Sequence, residues 1–196
     1  MASLALVTFA LFGCAQTVPL GTGPIQPVPG AAPPPTMLPP PPPTAPIVKP
    51  SVAAMNERKM ALDKAAMGTG IEVTRVNDQQ IKVVIPSDIA FAPFSVTAGP
   101  AVRPFLDTLA ASLGSNVEIQ VAISAHTDNV GSDPQNNTLS LERARSVRDY
   151  LLGKGVLTPF IQAVGRGARD PVAGNETAAG RTRNRRMEIV LRDTAK

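Results

Sequence analysis

The chain has 196 residues, of which 21 are proline, one is cysteine and 4% are aromatic, and its formal net charge is +4. That length suits one ordinary domain with extensions and excludes two full domains. A single Cys excludes an internal disulfide framework and any cysteine-based zinc cluster, and a single His excludes a His-rich metal site. These averages merge unlike segments. Fourteen of the prolines fall in residues 19–50, and the first charged residue is Lys49. The chain therefore reads as an apolar start, a proline stretch and a globular remainder.

Residues 1–13 carry no charge, and Leu4, Ala5, Leu6, Val7, Phe9, Ala10, Leu11 and Phe12 make a short apolar run. It is too short for ~30 Å of hydrocarbon, which takes roughly 20 helical residues, and it suits the hydrophobic segment of a secretory signal. The run ends in Leu11-Phe12-Gly13-Cys14, which resembles a bacterial lipobox, although Phe12 is bulky for its position and no Lys or Arg precedes the run. The resemblance implies cleavage before Cys14, a lipid on Cys14 and, with Ala15 rather than Asp next, sorting to the outer membrane. Residues 14–50 are then a lipid-anchored linker. Pro33-Pro34-Pro35 and Pro39 through Pro43 fix φ and remove amide donors, so neither helix nor sheet ladder is expected there. At ~3.1 Å per residue in polyproline II, residues 19–50 reach on the order of 100 Å, which suits a spacer better than a ligand for a proline-reading module.

Residues 51–70 are expected to be helical, capped by Ser51, with Val52, Met55, Met60 and Leu62 as the apolar side and Gly68 and Gly70 at the end. Residues 71–196 form the main domain. Ile71–Val76 and Gln80–Val83 alternate with period two around an Asn77-Asp78 turn, predicting a hairpin. Pro100 opens a helix with Phe105, Leu106, Leu109 and Leu113 inward, closed by Gly114. A strand runs from Val117 to Ala125. Ser140 caps the next helix, with Leu141, Ala144, Val147 and Leu151 inward. A short strand over Phe160–Val164 and a last one over Arg186–Arg192 complete an α+β fold with helices on one face of a sheet.

Ser124, His126 and Asp128 suggest a hydrolytic triad only superficially. Alternate side chains on a strand stand ~6–7 Å apart, too far to hydrogen-bond in series. Asp128 and Asp133 lack calcium-loop spacing. With Ser140 as cap, Arg143 lies in the first helical turn, where a cation opposes the macrodipole unless an anion joins it. A guanidinium backed by free amides suits a carboxylate. Asp128, at the strand end, supplies the opposite charge, and the pair suits a zwitterionic ligand.

His126-Thr127-Asp128-Asn129-Val130-Gly131-Ser132, Asn136 and Leu139-Ser140-Leu141-Glu142-Arg143-Ala144-Arg145 resemble the signature of the OmpA-like peptidoglycan-binding domain. So do Val164-Gly165-Arg166-Gly167, Gly180 through Ile189 and the entry block Pro86–Phe91. The resemblance covers residues 80–192 and implies a mixed sheet with helices on one face. It implies that Asp128 holds the ammonium of diaminopimelate in the wall peptide, that Arg143 holds its carboxylate, and that Thr127 and Asn136 line the pocket. Pro93 and Phe94 would form the opposite wall, in a loop that departs from the family at Ala92, Phe94 and Ala98. Arg185 and Arg186 match the family's paired arginines and are expected to be mainly structural clamps.

The layout of lipobox, linker and domain resembles the peptidoglycan-associated lipoproteins. It implies a non-enzymatic outer-membrane lipoprotein facing the periplasm, with peptidoglycan and envelope proteins as partners and no cofactor. Two alternatives are a wall-anchoring subunit of a larger envelope or secretion complex and a general binder of anionic polymers. Nucleic acid is disfavoured. Residues 143–196 are basic, but their aromatics are only Tyr150 and Phe160, outside the Arg181–Arg186 cluster, whereas single-strand grooves use stacking aromatics.

Overall fold

Period-two alternation builds the frame of the domain. In β1 (Glu72–Asn77) and β2 (Gln80–Pro86), Val73, Ile81, Val83 and Ile85 point to one side, and in β5 (Arg186–Asp193) Met187, Ile189 and Leu191 do the same. The structure, a computed structural model, describes residues 52–93, 95–114, 118–157 and 161–195. The expectations for the apolar start, Cys14, the proline stretch, Ser51, Phe94, Val117 and Phe160 lie outside those residues.

One five-stranded sheet runs in the order β1-β2-β5-β3-β4, where β3 is Ile119–His126 and β4 is Ile161–Gly167. β5 enters between β2 and β3 and is antiparallel to both. β3 and β4 are parallel, as a strand–helix–strand crossover requires, and the crossover is α4 (Asp133–Gly153). The inward strand residues join buried side chains of α1 (Val52–Ala66), α3 (Arg103–Leu113) and α4 in one core, leaving Gln80, Lys82, Ala122, Val190 and Arg192 on the other face. This is the expected α+β layering. Among the described residues, no helix is long and apolar enough to cross a membrane.

The helices depart from expectation in instructive ways. In α1 the inward face is Met55, Arg58, Leu62 and Ala66, at spacings of three and four, while Val52 and Met60 are exposed. Arg58 is buried because Nε and Nη2 donate to the Ser112 carbonyl at 3.1 and 2.9 Å, closing the orphan end of α3. α3 starts at Arg103, with Pro104 in its first turn, rather than at Pro100.

The largest correction concerns α4, which is capped by Ser132 rather than Ser140. Gln135 Oε1 accepts from Ser132 N and Oγ at 3.3 and 3.0 Å, and Pro134 sits in the first turn. Ser140 is instead fully buried within the helix. Its hydroxyl donates to Asn137 O and accepts from Gly167 N, both at 3.0 Å. Two short helices, α2 (Ser87–Ala90) and α5 (Ala178–Asn184), also arise where no apolar period announces them.

Candidate ligand-binding site

The site forms where β3, β4 and α4 converge beyond the edge of the core. Gly165 allows this approach: a Cβ there would stand 2.5 Å from the backbone nitrogen of Leu141, so α4 lies directly on β4. Gly167 then joins three segments. Its carbonyl accepts from Thr127 N at 2.9 Å, and its amide donates to Ser140 Oγ. The end of β3 and the first half of α4 are thereby fixed to the same residue.

Asp128 leaves the sheet in a turn closed by its own side chain, Oδ1 accepting from Val130 N at 3.1 Å. Asn136 braces the turn from α4, donating through Nδ2 to Val130 O at 3.0 Å and Asp128 O at 3.4 Å. Asn136, Ser140 and Arg143 occupy positions i, i+4 and i+7 of one buried helix face, which carries Arg143 to the same side as Asp128. Arg143 therefore sits in the middle of α4, not in its first turn, and free helix-start amides do not back it.

What holds Arg143 is the loop before α3. Its Nε donates to Ser95 O at 3.1 Å, and its guanidinium lies 4.8 Å from the centroid of the Phe91 ring, within cation–π range. The loop is anchored in turn by a bridge between Phe91 and Ala98 and by Ala98 N donating to Ser146 Oγ at 3.2 Å. The small residue at Ala98 is thus buried and seated in place. Arg143 is 9% exposed and, among the described residues, no carboxylate forms an ion pair with it. Burial pushes its guanidinium below the ordinary value, a trend that nearby Asp88 opposes and Arg185 reinforces.

These side chains open on a cavity of about 560 Å³ whose lining includes Asp88, Pro93, Thr127, Asp128, Arg143 and Arg185. Of the sequence-derived candidates, Thr127, Asp128, Asn136, Arg143 and Pro93 share this cavity, and Phe94 lies outside the described residues. Thr127 Oγ1 is buried with no hydrogen-bond partner. Ser124, His126 and Asp128 form no hydrogen-bonded series, since both ring nitrogens of His126 are buried without a partner. Among the described residues, no group of three or more His, Cys, Asp or Glu converges as a metal site would require.

Among the lining residues that the sequence did not assign to the cavity are three charged ones, Asp88, Arg181 and Arg185. Arg185 was expected to be a clamp, yet it bridges Asp128 and Asp88 at 3.0 and 3.1 Å, and those carboxylates, Asp88 foremost, hold its guanidinium above the ordinary value. Only Arg186 is buried as a clamp: it donates to Glu188 at 2.8 Å and to the carbonyls of Asn184 and Asp170. Asp88 stands inside the Pro86–Phe91 block, and its ending on the far side of a resident arginine is a through-space fact that linear spacing does not carry.

Residues 91–185 match the OmpA family. The chain is 34% identical over 160 residues to the peptidoglycan-binding protein ArfA of Mycobacterium tuberculosis, covering 71% of this chain and 49% of ArfA. It is 35% identical over 137 residues to the probable lipoprotein YiaD of Escherichia coli, covering 70% and 62%. Among solved structures, the cell wall anchor of the type VI secretion system of Pseudomonas aeruginosa is 30% identical with a TM-score of 0.61, covering 74% of this chain and 99% of that one. The chain thus spans about half the length of ArfA and somewhat more of YiaD.

Proposed function

This chain belongs to the OmpA family through residues 91–185, and we propose that it binds peptidoglycan non-covalently through the diaminopimelate of the wall peptide. Asp128 takes an ammonium and Arg143 a carboxylate of that residue, while Thr127, Asn136 and Pro93 shape the walls, with Phe94 assigned beside Pro93 from the sequence. The observation that carries this reading is a buried guanidinium, Arg143, facing a cavity without an ion-pair partner while an aspartate stands in the same cavity. A buried cation without a counter-anion is costly, and a ligand carboxylate would relieve that cost. A relative named as peptidoglycan-binding and a structure named as a cell wall anchor support peptidoglycan as the polymer bound.

With lipid on Cys14 and a spacer through residue 50, such binding would tether the outer membrane to the wall and support envelope integrity. The chain would then be an outer-membrane lipoprotein facing the periplasm. A second reading, a wall-anchoring subunit within a larger envelope complex, draws on the 30% identity to the secretion-system anchor over nearly its whole length.

Co-sedimentation with insoluble peptidoglycan tests the binding claim. Asp128→Ala with Arg143→Ala should abolish it, since each removes charge-assisted hydrogen bonds worth about 1.5–3 kcal/mol. Unchanged sedimentation of the double variant would refute the site. Mass spectrometry of the mature protein decides whether Cys14 carries lipid.

A further inference from the structure

Asp128 is already occupied. One carboxylate oxygen accepts from Val130 N, and the other, Oδ2, accepts from Arg185 Nη1 at 3.0 Å. Arg185 is held more heavily on its other side: Nη2 donates to Asp88 Oδ2 at 3.1 Å and to Thr182 Oγ1 at 3.0 Å, and Nε lies 3.5 Å from Asp88 Oδ1. Its side chain keeps 31% of its surface exposed, so it is not locked in place as Arg186 is, at 7%. Arg143, in the same cavity, has no carboxylate partner among the described residues. At rest Arg185 pairs both cavity carboxylates, Asp88 and Asp128, while the buried cation Arg143 pairs with neither.

Resting on the ligand reading above, we infer that Arg185 is a resident stand-in for the ligand's ammonium, and that binding is an exchange of cations on Asp128. The incoming ammonium takes Asp128 Oδ2, and Arg185 remains on Asp88 and Thr182, which already carry most of its hydrogen bonds. At Asp128 one charge-assisted hydrogen bond replaces another, so an amine alone gains little. The net gain arises at Arg143, where a carboxylate binds without breaking an ion pair. Arg185 thereby sets the affinity of every ammonium ligand for Asp128, and selection for a carboxylate beside that ammonium rests on Arg143. Asp88 acts through Arg185, as the seat that keeps the displaced guanidinium paired.

Calorimetric titration of the full chain with three probes tests this. The probes are meso-2,6-diaminopimelate, pentane-1,5-diamine (the same amines without carboxylates) and heptanedioate (the carboxylates without amines). The parent should bind diaminopimelate and discriminate strongly against the diamine. Arg185→Gln should tighten diaminopimelate and the diamine alike by about tenfold, the worth of one charge-assisted hydrogen bond, while heptanedioate gains nothing, and so raise the ratio of diaminopimelate to heptanedioate affinity. Asp88→Asn should weaken diaminopimelate several-fold in the parent and have no effect in the Arg185→Gln background. Thermal melting confirms folding, and Arg185→Lys, which keeps the charge but holds one carboxylate at a time, gives an intermediate ratio if the Gln variant does not fold. A proportional loss for all three probes, or an unmoved ratio, overturns the inference and returns Arg185 to a structural role. If the parent binds neither diaminopimelate nor peptidoglycan, the ligand reading falls and this inference with it. If both bind through Asp128 and Arg143 while the ratio stays fixed, only the exchange is wrong.

Discussion

Arg185 and Arg186 are neighbours in the chain but serve two different regions. Arg186 begins β5, where its side chain turns to the helix-free face and is closed in by Glu188, the Asn184 carbonyl and the Asp170 carbonyl. Arg185, one residue earlier, turns to the ligand cavity and meets two carboxylates across a surface that solvent reaches. The first region satisfies its charge permanently, with partners inside the fold. The second pairs its charges provisionally and leaves Arg143 without a counter-anion. Identical side chains thus divide between stability and exchange according to how completely their partners enclose them.

That division is open to measurement. Arg186→Gln should cost about 3 kcal/mol in chemical denaturation, because it leaves Glu188 with Lys82 alone and removes the buried guanidinium from the Asn184 and Asp170 carbonyls. Arg185→Gln, by contrast, should cost only about 1 kcal/mol, in keeping with a part-exposed pair. Equal losses would erase the distinction. A pH series sharpens it further. His126 lies behind Arg186, and burial first, then the Arg186 charge, lower its pKa from the ordinary 6.5 to about 4, against the pull of Glu188 and Asp170. The unfolded imidazole takes up a proton near 6.5 and the folded one only near 4, so between those values the unfolded state binds more protons. Stability should therefore fall as pH drops from about 6.5 to about 4, with no further loss from this group below that range. Thermal melts of His126→Gln should show a flatter profile across that window. An unchanged slope would mean that the His126 ring is not buried as its lowered pKa requires.

The parts of the molecule legible in the sequence are those where one pattern acts alone. Alternation in Ile81–Val83 and Met187–Leu191 had no competitor, and both segments are strands with those residues inward. The start of α4 was misplaced because its apolar stripe begins only near Leu141, while residues 135–138 are polar and the site uses two residues of this first half: Asn136 braces the Asp128 turn and Ser140 holds Gly167. The Ser132-to-Gln135 box and Pro134 were the local signals of the true start. Met60 looked inward by hydrophobicity, yet the position went to Arg58, whose partner, the Ser112 carbonyl, lies 54 residues away. Asp128 and Arg143 were legible as a motif. Arg185 was legible as a motif residue but not as their neighbour, since its contact with Asp128 spans 57 residues.

The position of β5 has a consequence for the order of assembly. As the last strand in sequence it occupies the middle of the sheet, so β1-β2 and β3-β4 remain separate pieces until it arrives. Arg185 immediately precedes it, so Asp88, Asp128 and their guanidinium meet only when β5 docks. Because long-range pairing of this kind is slow, the two halves of the sheet stay separable until β5 is delivered, and the cavity comes into being together with the finished sheet.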